Sequence, residues 1–147
     1  MRVPILTGFL MIAAGTTWGG GFFLTTFSGK APLGQEVPDA AVLVKVDGCA
    51  ASEAHKAKLT GTAEGIAGGM RRSAPLALVR TSRPDVWAVK KPVLGEGRWV
   101  LAITGEIYGA KTAVLVDLGQ SGAHRERRVS AQELPTQVEA ALKAKAD

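Results

Sequence analysis

A chain of 147 residues with 46% hydrophobic side chains and a formal net charge of +5 has the size of one domain plus an appendage. Its single cysteine, Cys49, excludes a scaffold of intrachain disulfides. Beyond residue 30, 16 Lys and Arg stand against 13 Asp and Glu, spread evenly, which excludes the concentrated basic face of a nucleic-acid binder.

The N-terminus is the most apolar part of the chain. Residues 3–27, a run of 25, carry no ionisable side chain; Arg2 precedes the run and Lys30 is the next charged residue after it. As a helix this run reaches about 37 Å, more than the roughly 30 Å core of a bilayer. Three readings stay open, a soluble buried helix being the least favoured. Arg2 followed by the apolar residues 5–14 has the form of a secretory signal, with small residues at 13–15 and 26–28 as imperfect cleavage patterns. An uncleaved signal anchor is favoured, because Trp18, Phe22, Phe23, Leu24 and Phe27 extend the run as an interfacial aromatic belt does. Gly19, Gly20 and Gly21 either permit close helix contact or end the helix early. The charge at Arg2 places the N-terminus in the cytoplasm, so the expected location is single-pass in the inner membrane with the remainder in the periplasm.

Residues 30–40, with Pro32, Gly34 and Pro38, read as a linker off the membrane. Val42, Val44 and Val46 then alternate with Leu43, Lys45 and Asp47 in a half-buried first strand, and 48–55 is a loop or one helical turn. A strand over 56–65 follows, with Leu59 inward. Gly68-Gly69 between Ile66 and Met70 is a two-residue hairpin signal. Leu76 and Leu78 alternate in the next strand.

The stretch 83–104 holds two apolar runs, 86–89 with Trp87 and 99–103 with Trp99, separated by Pro92, Gly95 and Gly97. It reads as a hairpin with a buried aromatic on each arm. Tyr108 and Gly109 turn the chain into a strand with Val114, Val116 and Leu118 on one face, and residues 126–130 form a last edge strand. Strands at this spacing predict an antiparallel β-sandwich over residues 41–130. Over 131–147 the period changes: Ser130 and Glu133 form a capping box, and Leu134, Val138, Ala141 and Leu142 recur at helical spacing in a short amphipathic helix.

The pattern Pro84-Asp85-Val86-Trp87-Ala88-Val89 followed by Glu96-Gly97-Arg98-Trp99-Val100-Leu101 resembles the final hairpin of small exported bacterial Ig-like domains. These include membrane-anchored proteins that accompany oxidase assembly and periplasmic copper handling. Residues 63–79 look like the preceding strands of such domains, and Asp85 departs from the usual glycine. The resemblance covers roughly residues 40–118 and implies an Ig-like sandwich with an extracytoplasmic accessory role. It also raises copper, but His55, His124, Met70 and Cys49 are scattered singly, without the paired spacing that soft or imidazole ligation uses.

Ser73, Ser82 and Ser130 lack a Gly-x-Ser-x-Gly context, and Gly19 to Gly21 lack the remainder of a phosphate loop. Arg125, Arg127 and Arg128 read as a solvated edge, with an anionic lipid headgroup or an acidic partner as the functional option. No catalytic, cofactor-binding or metal residue is assigned. The expected architecture is mainly β: a transmembrane anchor over 1–29, a linker over 30–40, the Ig-like sandwich and the C-terminal helix. The expected function is non-catalytic: a membrane-anchored periplasmic accessory or structural subunit of a larger membrane complex, respiratory or photosynthetic, whose partners are the lipid bilayer and the subunits of that complex. The alternative is a secreted periplasmic carrier of copper or a small ligand.

Overall fold

The structure, a computed structural model, describes residues 21–32, 37–118 and 124–144. The first twenty residues, and with them most of the proposed anchor, lie outside the described residues. Among those described, nine strands form two antiparallel sheets. The first contains β1 (Phe22–Ser28), β2 (Ala40–Gly48), β6 (Val86–Lys90) and β5 (Leu78–Arg80), in the order β1-β2-β6-β5. The second contains β4 (Met70–Pro75), β3 (Lys58–Ala67), β7 (Arg98–Ile107), β8 (Ala110–Leu118) and β9 (His124–Val129), in the order β4-β3-β7-β8-β9.

The two sheets bury a common core because their strands alternate. Leu24, Val42, Val44, Val46, Trp87 and Val89 from one sheet meet Leu101, Ile103, Val114 and Val116 from the other. The strands β7 and β8 are apolar on both faces for a second reason. Val100, Ala102 and Leu115 point outward and are covered by Val138 and Leu142 of the helix α1 (Leu134–Lys143). Arg98 fastens the end of that helix, donating from Nη1 to the Leu142 carbonyl at 2.8 Å and from Nη2 to the Ala141 carbonyl at 3.3 Å. A cation there satisfies carbonyls that have no intrahelical partner. Ser130 and Glu133 make the expected reciprocal bonds, the Ser130 hydroxyl 2.8 Å from Glu133 Oε2 and the Glu133 N–H 3.2 Å from Ser130 Oγ, but in the turn before α1, whose N-cap is Glu133 and not Ser130.

Three expectations are corrected. Residues 22–28 are a strand and not the end of a membrane helix: Phe22, Leu24 and Thr26 face the core, and all seven residues pair with β2, from Phe22 against Gly48 to Ser28 against Val42. No helix among the described residues is long and apolar enough to cross a membrane.

The described part of the expected linker packs on the sandwich. Ala31, Val37 and Ala40 cover the outer face of the first sheet, where Leu43, Val86 and Ala88 are completely buried. A Cβ on Gly29 would sit 1.8 Å from the Ala40 carbonyl oxygen, so only glycine allows this approach.

The two tryptophan strands are not a hairpin. β6 pairs with β2 and β5, whereas β7 pairs with β3 and β8, so residues 91–97 cross from one sheet to the other. Proline and glycine punctuate a crossing as readily as a turn. Trp87 is buried in the core, while Trp99 is only half-buried, lies against Gly65, and donates from Nε1 to the Gly95 carbonyl at 3.0 Å.

The registers define two ends. At the leader end, where the chain enters at Gly21, lie the 3-10 helix Ala51–Lys56, the 81–85 turn and the Tyr108-Gly109 turn. At the far end lie Gly68-Gly69, the 91–97 crossing and the start of β9.

Candidate functional site

The densest set of interacting polar side chains at the leader end joins two loops. Glu53 and Lys56 stand three residues apart on the 3-10 helix, where such positions eclipse, and their ion pair measures 2.7 Å. Tyr108 reaches back from the β7-β8 turn and donates its hydroxyl to Glu53 Oε2 at 2.8 Å. That hydroxyl accepts from Lys56 Nζ, which also lies 5.1 Å from the centre of the ring. Tyr108 holds φ +50, a conformation uncommon for a residue with a Cβ, and keeps 73% of its surface exposed.

The electrostatics hold this set together as a clamp. The hydrogen bond from Lys56, then that from Tyr108, holds the Glu53 carboxyl below its ordinary range. The bonds to Glu53 and then Tyr108 hold the Lys56 ammonium above its own. Each group thus favours the charged form of the other. Arg80 anchors the same loop: its guanidinium lies 4.5 Å over the Trp87 ring and donates to the carbonyls of His55 and Ala57 at 3.0 and 3.1 Å.

On the opposite face of the second sheet, a groove of about 270 Å³ lies beside α1. Leu134, Pro135, Val138 and Ala102 form its apolar lining, and Arg71 bridges Glu64 (3.1 Å) and Glu139 (2.5 Å). Burial alone would raise the Glu64 pKa, but hydrogen bonds from Thr62, Ser73 and Arg71 outweigh it and hold the carboxyl low.

The residues singled out in the sequence do not converge. Cys49 and His55 sit in the connection after β2 at the leader end. Met70 and the His124 backbone sit at the far end on opposite edges of a five-stranded sheet, four strand spacings or roughly 19 Å apart. Among the described residues, no group of three metal-ligating side chains is assembled. Ser73 and Ser130 donate their hydroxyls to Glu64 and Glu133, and Ser82 lies in the 81–85 turn.

The basic cluster divides between faces. Arg125 and Arg127 lie on the α1 side, where Arg127 bonds Gln137 at 3.0 Å. Arg128 turns toward β1, 4.2 Å over the Phe23 ring and 3.6 Å from Glu126. The Glu53–Lys56–Tyr108 set escaped the sequence reading, although Glu and Lys three apart and a lone tyrosine beside a glycine are its traces.

No protein-family model matches the chain, and neither the curated proteins nor the solved structures contain a significant match to it.

Proposed function

We propose that the chain is an Ig-like domain tethered to the extracytoplasmic face of the inner membrane, where it acts as a non-catalytic accessory subunit of a larger membrane complex. The Ig-like assignment is supported by strand order. Lettered along the chain, β1-β2-β6-β5 follows A-B-E-D and β4-β3-β7-β8 follows C′-C-F-G, the arrangement of Ig sandwiches. β9 and α1 are additions to that plan.

One observation carries the tether: β1 begins at Phe22, directly behind the uncharged residues 3–21. As a helix, those 19 residues span about 28 Å, close to the roughly 30 Å hydrocarbon core. A sandwich joined to such a segment without a spacer is held at the membrane surface, where contacts with integral subunits form at high effective concentration. Respiratory and photosynthetic complexes are the first partners to test. The polar clusters favour a contact role, since their charges are paired with each other.

Extraction of native membranes in mild detergent, followed by affinity capture and intact-mass measurement, tests this reading. The expected result is a chain retaining residues 1–21 together with stoichiometric integral subunits. A soluble chain that captures no membrane protein overturns it.

A further inference from the structure

The tether has a geometric consequence for one end of the sandwich. The chain enters at Gly21, whose carbonyl accepts from the Cys49 N–H at 3.1 Å, and Phe22 packs where a Cβ on Gly105 would lie 3.2 Å from its ring. The 3-10 helix and the Tyr108-Gly109 turn lie at this same end of the two sheets. We propose that this end rests on the lipid headgroups of a bilayer, with the exposed ring of Tyr108 seated in the interfacial layer; the inference depends on the membrane tether proposed above.

The charges specify what sort of surface this end fits. Lys56 pairs with Glu53, Arg83 with Asp85, Lys111 with Glu106 and Lys45 with Asp47, so the cations here are largely matched by carboxylates. A matched end adheres to zwitterionic headgroups without needing anionic lipid, unlike a polybasic patch, which is drawn to an anionic leaflet. Exposed lysines lie at both ends, Lys56, Lys58 and Lys111 here and Lys30, Lys90 and Lys91 at the far end, so an anionic surface would not single out this one. Tyrosine suits the headgroup layer because its ring is apolar and its hydroxyl hydrogen-bonds, and here the hydroxyl is already held by Glu53 and Lys56. The clamp fixes the ring's position, and the turn presents it at the tip.

The chain supplies its own probe, since Cys49 is its single cysteine and is exposed at this end. Full-length protein carrying a fluorophore on Cys49 is reconstituted in phosphatidylcholine vesicles, with a nitroxide on the headgroup of a fraction of the lipid. A second sample carries the fluorophore at the far end, on Val93→Cys in a Cys49→Ser background. Vesicle flotation is measured on both.

The expected result is headgroup quenching several-fold stronger at Cys49 than at the far end, weakened by Tyr108→Ser and little changed by replacing a third of the lipid with an anionic species. Protein that floats but shows equal quenching at both positions overturns the orientation while leaving the tether standing. Quenching at Cys49 that survives Tyr108→Ser unchanged overturns the role of the ring. Protein that does not float overturns the tether and this inference together.

Discussion

Glu126 in β9 accepts two hydrogen bonds from Thr26 in β1, from the backbone N–H at 2.6 Å and from the hydroxyl at 2.7 Å. The two residues stand 100 positions apart, and the contact joins the edge strand of one sheet to that of the other. It gives a buried threonine a charged acceptor and occupies a backbone donor that an edge strand would otherwise offer to another chain.

Glu126→Ala therefore removes two charge-assisted bonds from a partner that water reaches poorly. The expected loss is about 2 kcal/mol, read as a lower urea midpoint at unchanged slope. Glu126→Gln keeps an acceptor oxygen and should lose less. An alanine variant within about 0.5 kcal/mol of the parent would show that the contact contributes nothing of note.

Gly65 and Trp99 give a second prediction. A Cβ on Gly65 would lie 2.5 Å from two atoms of the Trp99 ring and 2.5 Å from the Arg98 carbonyl oxygen. The ring is tied to Gly95, so it cannot move away freely. Gly65→Ala is expected to cost about 1–3 kcal/mol by overpacking and to shift the tryptophan emission. Gly68→Ala is a control for backbone strain without a clash, since Gly68 has φ +58 and open space around its Cα. Equal losses in the two variants would show that the Trp99 contact is not the cause.

These contacts mark the limit of what the sequence made legible. Strict local patterns survived: the alternation of Val42, Val44 and Val46, the Gly68-Gly69 turn with both φ positive, the Tyr108-Gly109 turn and the helical spacing of Val138 and Leu142. Pairing between distant strands was not readable, because Pro92, Gly95 and Gly97 serve equally as a hairpin loop or a crossing between sheets. The strand β1 was hidden for a related reason. A core strand whose outward positions are Phe23, Thr25 and Phe27 carries no charge to separate it from an apolar leader. The Glu53–Lys56–Tyr108 set needed the β7-β8 turn and the 3-10 helix to meet, and no spacing within either segment announces that.

Acid sensitivity follows from carboxylates held low. The bidentate hydrogen bonds from Arg83 hold Asp85 below the usual range, and Glu64 is held low by Thr62, Ser73 and Arg71 against the opposing effect of burial. A carboxyl whose folded value lies below its unfolded one contributes stability above the unfolded value, and loses it as pH falls through the folded value. Stability should therefore hold from neutrality to about pH 5 and fall below about pH 4. The Asp85→Asn, Glu64→Gln double variant should be less stable than the parent at pH 7 and show a shallower acid decline. An unchanged acid decline, measured by urea midpoints across that range, would assign the sensitivity to other groups.

The position of β1 limits which N-terminal truncations leave the fold intact. Two small-residue patterns compete in the sequence, at residues 13–15 and 26–28. Cutting at the second would delete Phe22, Leu24 and Thr26 from the core and strip β2 of its partner along seven residues. Burying Phe22 and Leu24 stabilises the fold by roughly 1.5–3 kcal/mol each, before the lost ladder is counted. That is a large share of the roughly 5–15 kcal/mol typical of a domain. A chain starting at Phe22 is expected to unfold cooperatively in urea, followed by Trp87 emission, and a chain starting at Gly29 to show no cooperative transition. Any N-terminus compatible with the fold then falls at or before Phe22. A shared midpoint for the two chains would mean that β1 is dispensable, and residues 22–28 would be free to continue the leader into the membrane.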